Sequence, residues 1–189
     1  MHILVVSGTN RAGALSRKLS DIVANKHRDL GASVDLLDLG EVLNADFIAP
    51  TAYKQPTDAI SGAVDRFLAA DGVVFVVAEY NGSYPGALKL FVDMLPYPAG
   101  FNRRPCAFIG LAAGRFASLR AVEHFQQVAG YRNAYQYPER VLIANSYGQL
   151  SDGDFGDDEL RQRIDHQASG FQAFVNKLGG EAAKQRDPA

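Results

Sequence analysis

Two loops hold most of the residues in this sequence that could do chemistry. The first, residues 7–16, follows an apolar run and combines hydroxyl groups, small residues and the guanidinium of Arg11. If a helix begins near Ala14 and Leu15, their backbone N–H groups and the positive end of the helix dipole are available to an anion. Hydroxyls and a guanidinium placed beside them suit a phosphate monoester.

Two better-known phosphate loops do not match this segment. Gly8 and Gly13 have the spacing of a Walker A loop, but Ala14 and Leu15 stand where that loop needs Lys and Ser or Thr. The dinucleotide-binding fingerprint fails because Asn10 stands at its second glycine. A monophosphate therefore suits the loop better than a nucleoside triphosphate or a dinucleotide.

A simpler interpretation of the first loop remains open. Ser16 could serve only as a helix N-cap, and Arg11 could be a solvated surface charge. For the neighbouring Arg17 and Lys18, solvation is the expected state, because exposed cations in a first helical turn cost little.

The second loop, residues 79–86, follows another apolar run and precedes a helical pattern. Asn81-Gly82 can turn the backbone sharply between Tyr80 and Tyr84. A planar heterocycle could stack on either ring while main-chain N–H groups meet its heteroatoms. The alternative is an ordinary turn whose tyrosine rings pack on the core.

Strand-like and helix-like patterns alternate along the chain, which predicts a mostly parallel sheet covered by helices. Such a doubly wound sheet is either flavodoxin-like or a short Rossmann variant, and its ligands lie beyond the carboxyl ends of the strands. The predicted strands are residues 3–6, 34–39, 73–77, 107–111 and 141–144, the second at an edge. Five helical patterns are predicted. In chain order, the first ends at Gly31, the second has Thr57 as its N-cap, and the third runs from Pro85 to Pro96. The fourth ends near Gly130 and the fifth ends at Gly179-Gly180.

Composition narrows the possible partners and compartments. The 189 residues carry 19 Lys plus Arg against 21 Asp plus Glu, a net charge of −2 that attracts neither nucleic acid nor acidic lipid. The single cysteine, Cys106, cannot form an intrachain disulfide or a multi-cysteine zinc site, which fits a reducing compartment. Without a recognisable signal peptide or membrane span, we expect one cytoplasmic domain over residues 1–189, with a frayed polar tail from about residue 180.

Other arrangements of reactive residues give little support for further chemistry. The four histidines lack metal-ligand spacing, and no serine-hydrolase elbow is present. The acidic residues of positions 152–159 fit the start of the last helix better than a calcium loop. No metal site and no catalytic acid, base or nucleophile is predicted.

The second loop carries a resemblance to a known family. Residues 79–89, together with Asp93, closely resemble the P-E-Y-N-x-S-x-P-G-x-L-K-N-x-x-D signature of the NADPH-dependent FMN reductases. Residues 8–11 are similar to the start of that family's phosphate loop. The resemblance spans roughly residues 2–178 and implies a flavodoxin-like, three-layer α/β sandwich with a five-stranded parallel sheet of order 2-1-3-4-5.

The resemblance also implies a set of cofactor-binding residues. The FMN phosphate would contact Ser7, Thr9, Arg11 and Ser16, in addition to the amides of Ala14 and Leu15. The isoalloxazine ring would contact Glu79, Tyr80, Asn81, Gly82 and Ser83, with Gly114 and Arg115 as a third flavin-facing segment. The sequence departs from the family pattern at Ala14, Ala78, Leu90, Met94 and Phe116-Ala117.

By this resemblance, the leading hypothesis is a flavin-dependent oxidoreductase. NADPH or NADH would give hydride to bound FMN, and a small acceptor such as free flavin, a quinone, an azo dye or a metal oxyanion would take the electrons. Family likeness places the helix after residue 86 at the interface of a homodimer or homotetramer. The alternatives are a non-enzymatic FMN-binding electron carrier, which the small net charge argues against mildly, and a flavin-free scaffold.

Overall fold

The computed structural model describes residues 1–151, 154–155 and 157–182 and contains a parallel sheet with helices on both faces. The strands of this sheet are β1 His2–Ser7, β2 Ser33–Asp38, β3 Gly72–Ala78, β4 Pro105–Leu111, β5 Tyr135–Gln136 and β6 Val141–Ile143. Their order is β2-β1-β3-β4-β5, and β6 also pairs with β4. The predicted flavodoxin-like order is confirmed, with one strand more than expected.

The extra strand arises because the chain that pairs with β4 at the edge of the sheet is divided into two short strands, β5 and β6. Tyr135 pairs with the beginning of β4 and Val141 pairs near its end. Pro138 lies between the two segments and has no N–H to donate to a ladder, so one continuous strand cannot form there. A separate antiparallel pair, β7 Leu150–Ser151 and β8 Asp154–Phe155, was not predicted.

Seven α-helices are present in the described residues: α1 Leu15–Asp29, α2 Leu39–Val42, α3 Asp58–Ala69, α4 Gly86–Met94, α5 Leu119–Tyr131, α6 Ser146–Gln149 and α7 Asp158–Ala182, with a 3-10 helix at Ala45–Ile48. Apolar residues of α1 and α7 pack on one face of the sheet, and those of α3, α4 and α5 pack on the other. None of the described helices is both long and apolar enough to cross a membrane.

Several predicted element ends differ from the observed ones. The second strand ends at Asp38, one residue early, because the Asp38 side chain accepts the Gly40 N–H at 2.9 Å and caps α2. Thr57 holds the N-cap position of α3, but its hydroxyl donates to Asp46 instead. Helix α7 continues through the two glycines at 179 and 180 to Ala182. The predicted frayed tail beyond that residue, and Asp152 of the acidic group, lie outside the described residues.

The central strands are buried on both faces, as their nearly continuous apolar sequences predict. On the face covered by α3, α4 and α5, six phenylalanine rings form one packed group: Phe67, Phe75, Phe91, Phe101, Phe108 and Phe125. On the other face, Ile3 and Val5 of β1 pack with α1 and α7. These two cores hold the strand ends, and therefore the loops that follow them, in fixed positions.

The register brings the carboxyl ends of the strands to one edge. Ser7 at the end of β1 pairs with Val76 of β3 and with Asp38 of β2. Leu111 at the end of β4 pairs with Ala78 on one side and with Ile143 on the other. The loops after β1, β3, β4 and β6 therefore meet at this edge.

Candidate functional site

The loop after β1 leaves the sheet in close contact with β3. The Gly8 amide donates to the Val76 carbonyl at 3.0 Å, and a Cβ at position 8 would lie only 2.7 Å from that carbonyl oxygen. A side chain there would force the loop away from the sheet. Gly13 has a positive φ of 67°, which glycine adopts without strain. Both glycines thus shape the loop that leads into α1.

Helix α1 begins without a side-chain cap. Its N-cap residue is Ala14, which provides no capping hydrogen bond, so the first N–H groups of the helix have no side-chain acceptor. Ser16 is not the N-cap, which corrects the simpler interpretation of this residue. It lies in the first turn, is 2% exposed, and its Oγ has no hydrogen-bond partner among the described residues. A buried hydroxyl beside unpaired amides is a ready donor for an anion.

The basic residues near this helix end have different surroundings. Arg17 is not simply solvated, because its guanidinium pairs with Asp38 at 2.9 Å and with Asp21 at 2.5 Å. The hydrogen bond to Asp21 raises the pKa of Arg17. Lys18 is exposed, as expected. Arg11 is exposed and makes no ion pair within the described residues, which leaves its guanidinium available to a ligand.

The loop after β3 begins with a tight two-residue hairpin. The N–H of Tyr80 donates to the Ser83 carbonyl at 2.8 Å, and the N–H of Ser83 donates to the Tyr80 carbonyl at 3.0 Å. The two central residues, Asn81 and Gly82, have φ of 52° and 75°, as a type I′ turn requires. A side chain at Gly82 would approach Nη1 of Arg120 to 3.0 Å. The hairpin leaves the N–H groups of Asn81 and Gly82 unused by its own backbone bonds.

A hydroxyl pair joins the two loops. Thr9 Oγ1 and the Tyr80 hydroxyl lie 2.8 Å apart, and Thr9 Oγ1 also accepts the Arg11 N–H at 3.3 Å. Thr9 is 2% exposed, so this contact is shielded from solvent. Tyr84 instead packs its ring on Phe125 at a centroid distance of 5.3 Å, so the core-packing interpretation of the tyrosines holds for Tyr84.

A cleft of about 320 Å³ lies between these loops; we call it the edge cleft. Its lining consists of Arg11, Ala12, Gly13, Ala14, Leu15, Ser16, Ala78, Glu79, Tyr80, Leu111, Ala112, Ala113, Ser146 and Tyr147. Six predicted site residues are among them: Arg11, Ala14, Leu15, Ser16, Glu79 and Tyr80. The volume is within the range typical of small-ligand sites, at about 300 to 1,000 Å³.

The other predicted residues lie around the edge cleft without lining it: Ser7, Thr9, Asn81, Gly82, Ser83, Gly114 and Arg115. Ser7 is fully buried, and its Oγ has no partner among the described residues. Ser83 Oγ lies 3.1 Å from Nδ1 of His124, on the α5 side of the hairpin. The exposed Arg115 places its guanidinium 4.9 Å from the ring centre of the exposed Phe116.

The segment after β4 has an unusual backbone. Ala117 and Ser118 have φ of 54° and 64°, in the left-handed region that non-glycine residues rarely adopt. The Ser118 hydroxyl, fully buried, donates to the Val77 carbonyl at 3.1 Å and ties the segment to β3. This is the point at which the sequence has Phe116-Ala117 instead of the small glycines of the family pattern.

Sequence reasoning missed several residues of the edge cleft. Ala112 and Ala113 directly follow β4, so the strand-end rule alone could have identified them. Ser146 and Tyr147 belong to α6, which the periodicity did not predict because it is only four residues long. The Ser146 N–H donates to the Ala112 carbonyl at 3.0 Å, which brings this turn to the end of β4.

The cleft residues fit a phosphorylated flavin. At one side an uncapped helix end, the buried Ser16 hydroxyl and Arg11 suit a phosphate. At the other side the Tyr80 ring and the small apolar Ala78 offer a surface for a planar ring. Glu79 Oε2 is buried without a partner among the described residues, so a hydrogen-bond donor on the ligand has an acceptor there. No group of three or more His, Cys, Asp or Glu suited to a metal occurs in the described part of the chain.

Comparisons with known proteins point in the same direction. A family model described as NADPH-dependent FMN reductase matches residues 1–148. An NAD(P)H-dependent FMN reductase from Pseudomonas aeruginosa is 29% identical over 191 residues, covering 95% of this chain and 98% of the relative. An NAD(P)H:quinone oxidoreductase from Solanum tuberosum is 25% identical, covering 92% of each chain. The flavoenzyme NAD(P)H:(acceptor) oxidoreductase from Paracoccus denitrificans has the same fold, with a TM-score of 0.76 and 22% identity over 94% of this chain and 98% of its own.

Proposed function

Because the chain belongs to the NADPH-dependent FMN reductase family, we infer that it is a flavin-dependent oxidoreductase that binds FMN and uses NAD(P)H. Bound FMN supplies the hydride-accepting and hydride-donating chemistry. The protein then has to hold the cofactor, orient its ring and leave one side open to substrates. The single observation that carries the proposed site is the uncapped start of α1 with the buried, unpartnered Ser16 hydroxyl facing the edge cleft.

We propose that the phosphate of FMN binds at the start of α1. The donors would be the Arg11 guanidinium, the Ser16 hydroxyl and the N–H groups of Leu15 and Ser16. The Ala14 N–H, which was expected to be a donor as well, instead donates to the Arg11 carbonyl at 3.3 Å. The absence of acidic residues from the first turn supports this assignment. Ser7 and Thr9 would support the phosphate loop. Thr9 would do so through the hydrogen bond between its hydroxyl and that of Tyr80.

We propose that the isoalloxazine ring lies against the Tyr80–Ser83 hairpin. The N–H groups of Asn81 and Gly82 are free of the hairpin's own backbone bonds and would donate to ring acceptors. Such fixed dipoles stabilise the negative charge of a reduced flavin without needing to reorganise. Gly114 and Arg115, in the segment after β4, would face the ring from the other side. No side chain is required as an acid or base.

We propose a small planar acceptor, a quinone being the leading candidate. Support comes from the relative named NAD(P)H:quinone oxidoreductase and from the largely exposed aromatic ring of Tyr147 at the rim of the edge cleft. Free flavins, azo compounds and metal oxyanions are the other acceptors to be compared. NADPH is proposed as the preferred hydride donor on the basis of the family.

We also propose that the chain works as one flavin-binding domain in a cytoplasmic homodimer. The groove between α4 and α5 supports the dimer, because it is lined by the exposed Tyr131 together with the Lys89–Asp93 ion pair. An aromatic ring that is 81% exposed is a common feature of a protein interface. The single, buried Cys106 supports a reducing compartment.

One purification tests these proposals together. The protein is expected to carry a flavin absorption spectrum, or to bind added FMN, and to oxidise NADPH in the presence of a quinone without a partner protein. Light scattering on the same sample is expected to give twice the molar mass of one chain. A protein that binds FMN but oxidises NADPH only with a partner protein would be an electron carrier, and one that rejects FMN would contradict the proposed function altogether.

A further inference from the structure

An exposed aromatic residue and an exposed cation stand next to each other beyond the end of β4. Phe116 is 61% exposed, and its ring centre lies 4.9 Å from the guanidinium carbon of Arg115. Within the described residues, Arg115 forms no ion pair and Phe116 contacts no other aromatic ring. Neither residue lines the edge cleft, whose lining in this segment stops at Ala113. The two side chains therefore form a separate surface just outside the cleft; we call it the Arg115–Phe116 platform.

The backbone holds this platform in a fixed position. The Leu119 N–H donates to the Phe116 carbonyl at 2.9 Å. Ala117 and Ser118 both adopt the left-handed conformation, and the Ser118 hydroxyl donates to the Val77 carbonyl of β3. Strained backbone persists only where surrounding contacts hold it, and it is common at binding sites. Because the exposed Phe116 ring adds little to the core, a ligand explains its fixed placement better than packing does.

A flat apolar ring with a cation beside it suits a ligand that is both aromatic and anionic. Aromatic side chains stack on planar heterocycles, and a guanidinium pairs well with a phosphate. The adenosine half of NADPH has both parts, a purine ring and a 2′-phosphate on the ribose, and an arginine is a common partner of that phosphate. NADH has the same purine without this phosphate. The ring and the cation of the platform therefore suit different features of the hydride donor.

The location of the platform fits a hydride donor that extends out of the edge cleft. The flavin ring is proposed to lie at the hairpin after β3, and the platform follows β4, which pairs with β3 along its length. The nicotinamide has to reach the flavin ring. The adenosine half is joined to it through a diphosphate and must lie outside the space that the flavin fills. The platform offers that half a surface beside the mouth of the cleft.

We propose that the Arg115–Phe116 platform binds the adenosine half of NADPH, an inference that rests on the proposed function. The Phe116 ring stacks on the adenine, and the Arg115 guanidinium pairs with the 2′-phosphate. Arg115 then distinguishes NADPH from NADH, and Phe116 distinguishes dinucleotide from mononucleotide donors. The backbone of residues 114 and 115 stays available to the flavin, because only the side chains are used here.

Steady-state kinetics with three hydride donors test the two roles. For each variant, kcat/KM is measured with NADPH, NADH and reduced nicotinamide mononucleotide, using one quinone as the acceptor. Ratios between donors are compared, because an effect on the bound flavin is common to all three donors and cancels. Arg115→Gln is expected to lower kcat/KM for NADPH about tenfold relative to NADH, as for loss of a charge-assisted hydrogen bond. Phe116→Ala is expected to lower kcat/KM for both dinucleotides about two- to tenfold relative to the mononucleotide, as for loss of an aromatic stack.

Matched controls come from residues outside both the edge cleft and the platform. Tyr53→Ala removes another largely exposed ring, and Arg28→Ala removes an exposed guanidinium in the last turn of α1. Both are expected to keep the wild-type ratios between donors. Phe116→Tyr keeps an aromatic ring and is expected to keep the ratio of dinucleotide to mononucleotide. Flavin content and circular dichroism check that each variant is loaded and folded.

The two roles can be overturned separately. Equal kcat/KM for NADPH and NADH in the wild type, or equal losses for both in Arg115→Gln, would show that the guanidinium does not bind the 2′-phosphate. For Phe116→Ala, losses that are the same for the mononucleotide, or no loss at all, would show that the ring does not stack on adenine. A wild-type protein that binds no FMN or oxidises none of the three donors gives a different result, because it contradicts the proposed function itself.

Discussion

At the scale of single residues, Arg11 and Ser16 offer an anion different things. Arg11 is exposed and carries a full charge without an ion-pair partner in the described residues, whereas Ser16 is buried and neutral. Hydrogen bonds that involve a charged group contribute about 1.5 to 3 kcal/mol, compared with about 1 kcal/mol for neutral ones. Arg11 is therefore the side chain whose loss should be easiest to measure.

Arg11→Ala is expected to raise the Kd for FMN about ten- to a hundredfold, by removing that charge-assisted contact. Titration of the apoprotein with FMN measures this change. Arg28→Ala is the matched control, since Arg28 lies exposed in the last turn of the same helix and should leave FMN affinity unaltered. If Arg11→Ala binds FMN as tightly as the wild type, the phosphate site is not at the start of α1.

At the scale of elements, the segment between β4 and α5 shows local strain. Ala117 and Ser118 are consecutive residues in the left-handed region, where a non-glycine residue costs roughly 1 to 2 kcal/mol. Ser118 is held there by its hydrogen bond to Val77, but the methyl group of Ala117 has no such role. The family pattern of small glycines at this point has a simple physical explanation in this backbone.

Ala117→Gly is expected to stabilise the protein by about 0.5 to 1 kcal/mol, because relief of the strain exceeds the extra chain entropy of glycine. Chemical unfolding followed by circular dichroism measures the change. The matched control is Ala173→Gly, at an exposed position in the interior of α7, which should destabilise by roughly the same amount. A loss of stability in Ala117→Gly would show that the left-handed turn is not strained.

At the scale of the whole molecule, His27 joins the first and last helices on one face of the sheet. Its ring is buried against Phe171, and Gln172 of α7 lies 3.2 Å from its Nδ1 and donates to its backbone carbonyl at 3.0 Å. Burial lowers the pKa of His27 from 6.5 to about 4. The imidazole is therefore neutral in the folded protein at pH values where it is charged in the unfolded chain.

The free energy of unfolding is expected to fall by up to about 3 kcal/mol as the pH drops from about 6.5 to about 4. Over this range the unfolded chain binds a proton at His27 that the folded protein does not bind. Asp35, whose pKa is lowered by its hydrogen bond to Arg66, loses its stabilising effect only as the pH falls below its ordinary 3.8. The two effects therefore occupy separate pH ranges.

Denaturant unfolding at a series of pH values measures this dependence. His27→Gln is expected to flatten the curve between pH 6.5 and 4, whereas His166→Gln should not, because the His166 side chain is 73% exposed. A wild-type stability that is constant over this interval would contradict the assignment to His27.

The sequence by itself determined the layered fold and the sheet edge at which the candidate residues lie. A continuous apolar run such as residues 73–77 predicts a strand that is buried on both faces. The Asn81-Gly82 pair favours a tight hairpin turn through its own backbone preferences, without help from distant contacts. The parallel order then follows from the family pattern, and the candidate residues must lie at the carboxyl edge of the sheet.

Only the tertiary structure decided which of those residues face the edge cleft and which support it. Thr9 turned out to hold Tyr80, and Ser146 and Tyr147 reach the cleft from a part of the chain more than sixty residues beyond Tyr80. The buried Arg104, which donates to the carbonyls of Gly100 and Ala70, likewise has no local signature. These contacts depend on which side chains meet after folding, and a pattern along one segment carries no information about its distant neighbours.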